Sequence, residues 1–366
     1  MSAGERRVLE RLRDLVSIET PTGDAEGMAA AHALIDAWIA PLVGPGEPVE
    51  VDGVRHLRWA GGPAPSVLLL GHLDTVWPRG TAAERPFRLD GDRITGPGVF
   101  DMKAGIVVMA EALARIARPE EVAILLTSDE ETGSTTSRAL IEQEAVRCGA
   151  VLVLEPSLDG AVKTARRGGS IYRVEVHGRA AHAGLEPERG RNALTELAHQ
   201  VLALPALADA RLGTTVSPTV ARAGTVTNAI PDHAELRIDV RAWSLAELER
   251  VHRAMLALPA HTPEVELVLH GGINRPPMEP HAARELLAVA RSVGAGLGQP
   301  ELVDVAVGGA SDGNFTAAVG AATLDGLGPN GGGAHAVDEW VSLASTLERI
   351  ELIAGTLDAL AAAQAG

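Results

Sequence analysis

Three short runs of this chain are apolar without interruption: SVLLLG (Ser66 to Gly71), VAILLT (Val122 to Thr127) and AVLVLE (Ala150 to Glu155). A strand with one face in water alternates apolar and polar residues, so runs like these predict strands covered on both faces, as in a parallel sheet packed between helices. The segments between them supply helices, notably MKAGIVVMAEALARIA from Met102 and SRALIEQEAVRC from Ser137. Buried strand alternating with helix predicts an α/β layer architecture with a covered, mainly parallel sheet.

Each run leads into residues that bind metals. SVLLLG precedes His72 and Asp74, VAILLT precedes Asp129, Glu130 and Glu131, and AVLVL ends on Glu155. Open α/β sheets bind ligands beyond the carboxyl ends of their strands, so three such endings point to one site. His72 and Asp74, two apart on an extended segment, allow the Asp74 carboxylate to orient the imidazole while His72 holds a cation. Asp101 directly precedes a helical run, where a carboxylate caps the helix or bridges two cations. His335 follows the glycines of LGPNGGGAH, a loop whose backbone can fold close to a site. Imidazole and carboxylate without thiolate suit zinc, cobalt or manganese, and argue against a closed structural zinc site. The like charges of Asp129, Glu130 and Glu131 repel one another unless divalent cations lie against them. Successive side chains on an extended segment point in opposite directions, so Glu130 and Glu131 are expected to do different things, and Asp129 has no task beyond the loop.

Near Arg167 the pattern changes. SIYRVEVHG (Ser170 to Gly178) and HAELRIDVRAW (His233 to Trp243) alternate apolar and polar residues, as half-exposed antiparallel strands do. Each is followed by an amphipathic helix, RNALTELAHQVLAL from Arg191 and LAELERVHRAMLAL from Leu245. The reading is a two-layer α/β insert over 167–275 within a catalytic domain made of 1–166 and 276–366. In the last part, HAARELLAVARSVG and the strand LVDVAVG are expected to resume the covered sheet.

A chain of 366 residues fits that division into roughly two domains. Its net charge of −16 and 2% aromatic content weigh against nucleic acid or an anionic membrane as partner. A single cysteine, Cys148, excludes an internal disulfide. The N-terminus has no uninterrupted apolar core of a signal peptide, and no run approaches the ~18 apolar residues of a membrane span. The expectation is a cytoplasmic protein.

GHLDTVWPRG, PFRLDGDRITGPGVFDMKAG, TSDEETGSTTSR, LEPS, GRAAHAG, TNAIPD and GGGAH, in this order along nearly the whole chain, together resemble the co-catalytic dizinc metallopeptidases. That family includes glutamate carboxypeptidase, acetylornithine deacetylase, succinyl-diaminopimelate desuccinylase, aminoacylase and peptidase T, and the resemblance is nearest to the glutamate carboxypeptidase branch. It implies two zinc ions, with cobalt or manganese as possible substitutes, bridged by Asp101. His72 and Glu155 would complete one position, and Glu131 and His335 the other. It implies Glu130 as general base and Asp74 as the residue orienting His72. The insert would be a lid and dimerisation domain of a homodimer, its His182 reaching the partner's site, assisted by Asn228. Arg241 sits where the glutamate branch grips a substrate carboxylate, with Arg275 near a second such arginine. The implied activity is hydrolysis of a C-terminal amide bond of a small peptide, or of an N-acyl amino acid.

Two other readings compete. Gly309 to Gly313 reads GASDG, and Asp325 and His335 follow Ser311 in the chain order of an α/β-hydrolase triad. Only 24 residues separate Ser311 from His335, too few for separate acid and base loops, so GGASDGN is expected instead to line the substrate pocket. A metal-stabilised binding protein that kept the fold would show a lost ligand or base, and none is lost.

Overall fold

The three apolar runs form neighbouring strands at the centre of one six-stranded sheet. A computed structural model describes residues 1–364 of the chain, and the sheet order is Glu47–Val51, Val54–Trp59, Val122–Thr127, Val67–His72, Ala150–Val153, Ala322–Leu324. The last four strands run parallel, and the first two form an antiparallel hairpin added at one edge. Every residue of Val67–His72 and Val122–Thr127 is buried, as their unbroken apolarity requires. Helix Arg138–Cys148 sets Ile141 and Ala145 among Leu68, Leu70, Leu125 and Val153 in one apolar cluster. Helix Ala104–Leu113 is buried along its whole length. At Gly105 the helix comes so close to the Ala150–Val153 strand end that a Cβ would stand 2.0 Å from the Leu154 carbonyl oxygen. Only glycine permits that approach.

The chain divides into two compact units. The first comprises Met1–Ala165, Glu279–Val307 and Ser311–Gly366, and the second Arg166–Met278 with Gly308–Ala310. The expected boundaries, 167 and 275, fall one residue after Arg166 and three before Met278, while Gly308–Ala310, read from sequence with the catalytic part, groups with the second unit.

The second unit is a four-stranded antiparallel sheet, ordered Thr215–Ala223, His233–Ala242, Gly168–His177, Glu266–Arg275. Helices Ala193–Ala203 and Leu245–Leu256 contribute Leu197, Leu248, Val251 and Met255 to its core, against Tyr172, Val174, Leu236 and Ile238 of the strands. Alternation in the strands thus leaves one face polar, as their sequences require.

One expectation about the first unit is corrected. LVDVAVG does not join the covered sheet: Asp304–Val307 pairs with Val162–Arg166 in a separate two-stranded sheet. The physical reason is that its side chains alternate between partly buried and exposed, and Asp304 accepts hydrogen bonds from Thr164 and Arg291 (both 2.8 Å), which a doubly covered strand could not accommodate. The covered sheet is completed by Ala322–Leu324 instead. Among the described residues no helix is long and apolar enough to cross a membrane.

Candidate metal centre

His72 is the last residue of its strand and lies in register with Thr127, the last of the neighbouring strand. Its Nδ1 is 3.0 Å from the backbone carbonyl of Asp74, which assigns the proton to Nδ1 and turns the Nε2 lone pair towards the carboxylates. Nε2 stands 3.1 Å from Asp101 Oδ1 and 3.4 Å from Glu155 Oε1. On the other side of Asp101, Oδ2 is 3.5 Å from His335 Nε2, which lies 3.1 Å from Glu131 Oε2. Two groups result, His72, Asp101, Glu155 and Asp101, Glu131, His335, with the donor atoms of each within 4.8 Å of one another. Asp101 belongs to both, offering one oxygen to each.

Without cations, so many carboxylates in one place must be held by protons. Burial opposes a charge on His72, yet hydrogen bonds to Asp101, Asp74 and Glu155 raise it well above its ordinary value. Burial likewise opposes ionisation of Asp101, but hydrogen bonds to His335 and His72 hold it well below the usual carboxylate range. Burial pushes Glu131 up to about 7. Hydrogen bonding to Asp101, with the nearby charge of Glu131, pushes His335 up to about 9 against burial. Glu131 Oε1 is buried with no hydrogen-bond partner among the described residues, a polar atom left for something other than protein. Each group offers one imidazole and two carboxylates, a donor set that fits a divalent cation.

The supports beneath these residues refine several expectations. The Asp74 carboxylate lies 3.5 Å from His72 Nδ1, farther than its own carbonyl. Its oxygens also accept the backbone N–H of Glu130 and of Glu131 (both 3.1 Å) and the Thr22 hydroxyl (2.8 Å). Asp74 therefore ties the His72 strand end to the acidic turn. That turn is not extended: Glu130–Thr132 is one turn of 3-10 helix, so turn geometry, not strand pleat, separates Glu131 from Glu130, which is in neither group. Asp129, given no task from sequence, is buried and accepts from the backbone N–H of Thr136 (2.7 Å) and Ser137 (3.3 Å) and from both hydroxyls (2.8 and 2.5 Å). Asp101 does not cap the following helix, which begins at Ala104 without a side-chain cap; the peptide bond after Asp101 is cis.

The serine-hydrolase arrangement is absent. Ser311 is fully buried and its hydroxyl donates directly to Asp325 Oδ2 (2.6 Å), while His335 faces Asp101 and Glu131, so no imidazole stands between serine and aspartate. Nor do Ser311 to Asn314 present an exposed pocket wall: all four are buried, and Asp312 accepts from Thr127 (2.9 Å) and Ser134 below the acidic turn.

His182, Asn228, Arg241 and Arg275 belong to the second unit. His182 and Asn228 are brought together there, because Ala183 N–H donates to the Asn228 carbonyl (2.9 Å) where Ala181–His182 pairs with Ala229–Ile230. The His182 side chain is exposed, and its Nδ1 accepts the Gly184 N–H (3.1 Å). Arg241 holds Asp239 at 2.8 Å. Arg275 is buried at the end of its strand. Three supporting residues went unassigned from sequence: Thr22, which nothing near the motifs marks, Asp312, which lies inside GASDG but was read only as pocket lining, and Glu339, whose signal was its place four residues after His335.

A model of peptidase family M20/M25/M40 matches residues 68–359. Carboxypeptidase G2 of Pseudomonas sp. (strain RS-16) is 33% identical over 372 residues, covering 95% of this chain and 88% of its own. Succinyl-diaminopimelate desuccinylase of Halorhodospira halophila is 30% identical over 373 residues, covering 94% and 96% respectively. Among solved structures, aminopeptidase PepT of Bacillus cereus is similar with a TM-score of 0.75 at 19% identity, covering 98% of this chain and 99% of its own, a likeness of fold.

Proposed function

This chain belongs to peptidase family M20/M25/M40, and on that premise we propose that it is a dizinc hydrolase that cleaves a C-terminal amide bond and releases a free amino acid, in the manner of a glutamate carboxypeptidase. The observation that carries the reading is the pair of three-residue groups sharing Asp101, with Glu130 next to one of them and in neither. His72, Glu155 and Asp101 hold one ion, and Glu131, His335 and Asp101 the other; cobalt or manganese would suit the same donors. Bound there, two such cations supply Lewis-acid polarisation of the substrate carbonyl and acidify the attacking water.

The chain's own groups do the rest. Glu130, not spent as a ligand, accepts the proton of the attacking water and delivers it to the leaving amine. Asp74, through the Glu130 N–H, keeps that carboxylate beside the His72 strand end. His182 acts on the partner subunit's site of a homodimer. Its Nδ1 is occupied by Gly184, so its Nε2–H is the end that donates to the carbonyl oxygen as negative charge develops, with Asn228 assisting. Arg241 receives the substrate carboxylate in place of Asp239, and Arg275 backs it. Mixing a His182→Ala chain with a Glu130→Ala chain should restore activity that neither has alone; a mixture with none would overturn action in trans.

A second reading, an N-acyl-amino-acid deacylase with the same site, is favoured by the likeness to the desuccinylase over 94% of the chain. The test is a panel of pteroyl-glutamate, dipeptides, and N-succinyl and N-acetyl amino acids, assayed with and without chelator. Preference for pteroyl-glutamate supports the first reading, preference for short acyl groups the second, and full activity after exhaustive chelation overturns both.

A further inference from the structure

Glu339 is a buried carboxylate, 2% exposed, that the proposed reaction does not use. It stands at the start of strand Trp340–Ser342, which pairs antiparallel with Arg93–Thr95, and its side chain folds over the segment that follows that partner strand. Oε1 accepts the backbone N–H of Phe100 (2.9 Å) and Asp101 (3.0 Å), while Oε2 accepts the backbone N–H of Gly98 (2.8 Å) and the Trp77 indole N–H (2.8 Å). Both oxygens are thus doubly engaged. Three of the four donors belong to the loop carrying Asp101, and Glu339 itself belongs to the loop carrying His335.

We infer that Glu339 is a positioning residue: by clamping the Asp101 loop to the His335 loop, it sets the affinity of both cation positions together. The inference rests on Asp101 and His335 being ligands, as proposed above. Because Asp101 is common to both groups, a shift of its loop is felt at both. The His335 loop has little slack of its own. At Gly331 a Cβ would stand 2.1 Å from the Trp340 carbonyl oxygen and 2.7 Å from the Phe100 ring, so the two loops meet in direct contact.

Two substitutions in the full-length protein separate position from charge. Glu339→Gln is isosteric but has one acceptor oxygen, so whichever way the amide turns, its NH2 meets two N–H donors. It also removes a negative charge near the cations. Trp77→Phe keeps that charge, leaves an aromatic ring under Arg85, and removes the indole donor to Oε2. Metal-free protein is titrated with Zn2+ against a chromophoric competitor, and with Co2+ while the visible bands are followed. We expect the wild type to take two ions, Glu339→Gln to lose about 10- to 100-fold in affinity at both positions with altered Co2+ bands, and Trp77→Phe to lose roughly 2- to 10-fold at both, with unchanged far-UV circular dichroism. Weakening at one position alone, or wild-type affinity in Trp77→Phe, would overturn the clamp, whether or not Glu339→Gln folds. A wild type that takes up no metal overturns the proposed function instead.

Discussion

Glu130 and Glu131 are adjacent acids with separate surroundings. Glu131 Oε2 lies 3.1 Å from His335 Nε2 and its Oε1 is buried without a hydrogen-bond partner among the described residues, whereas Glu130 is outside both donor groups. Their backbone N–H groups share one acceptor, the Asp74 carboxylate, so the turn is fixed and only the side chains diverge. Glu130→Ala should therefore keep two zinc ions per chain while cutting kcat by about 10²- to 10⁴-fold, the contribution of a general base. Elemental analysis beside steady-state kinetics checks this. Loss of zinc together with activity would show the two glutamates to be reversed.

At the level of elements, the centre depends on how closely helix Ala104–Leu113 approaches the end of strand Ala150–Val153. Asp101 precedes that helix and Glu155 follows that strand, so their separation is set by the contact at Gly105. Gly105→Ala forces a Cβ against the Leu154 carbonyl, and overpacking of a buried contact typically costs about 1 to 3 kcal/mol. We expect urea unfolding of the metal-free variant to show that loss, and zinc to bind more weakly because both Asp101 and Glu155 shift. Unchanged stability would mean that helix and strand can separate freely. LVDVAVG is apolar enough to pass for a covered strand, but Asp304 takes its partners from the neighbouring strand, at Thr164, and from helix Arg284–Gly296, at Arg291.

At the scale of the whole molecule, the centre links stability to pH and to metal. In the metal-free protein His335 is raised from 6.5 to about 9, so its stabilisation is fully present below the unfolded value and is lost as pH rises through about 9. Glu131, raised from 4.5 to about 7, also favours the folded state while protonated, and that contribution is lost as pH rises between those values. Both signs agree: for these groups, metal-free stability falls as pH rises. If Glu131 and His335 are ligands as proposed, binding a cation removes the same protons, and zinc affinity should increase by about tenfold per pH unit for each proton displaced. Thermal melts with and without zinc should therefore show a larger stabilisation by metal at pH 8 than at pH 6. An equal shift at both would mean that these groups lose no protons on binding.

What the sequence determined alone was whatever depends on local pattern. Unbroken apolarity at Val67–His72 and Val122–Thr127 specified covered strands, alternation at His233–Ala242 specified a half-exposed one, and the acids and imidazole at the strand ends marked the edge where ligands gather. The resemblance in its ordered motifs named the family. Tertiary structure alone decided which atoms meet: that Asp101 offers one oxygen to each donor group, that Asp74 holds a turn more closely than an imidazole, that Ser311 is buried against Asp325, and that Glu339 clamps a loop 238 residues away from it in the chain. The physical reason is one of range. Strand and helix follow from the side chains of a few consecutive residues, but a buried carboxylate is satisfied by whichever N–H groups the finished fold brings within about 3 Å of it, and no local pattern contains that list.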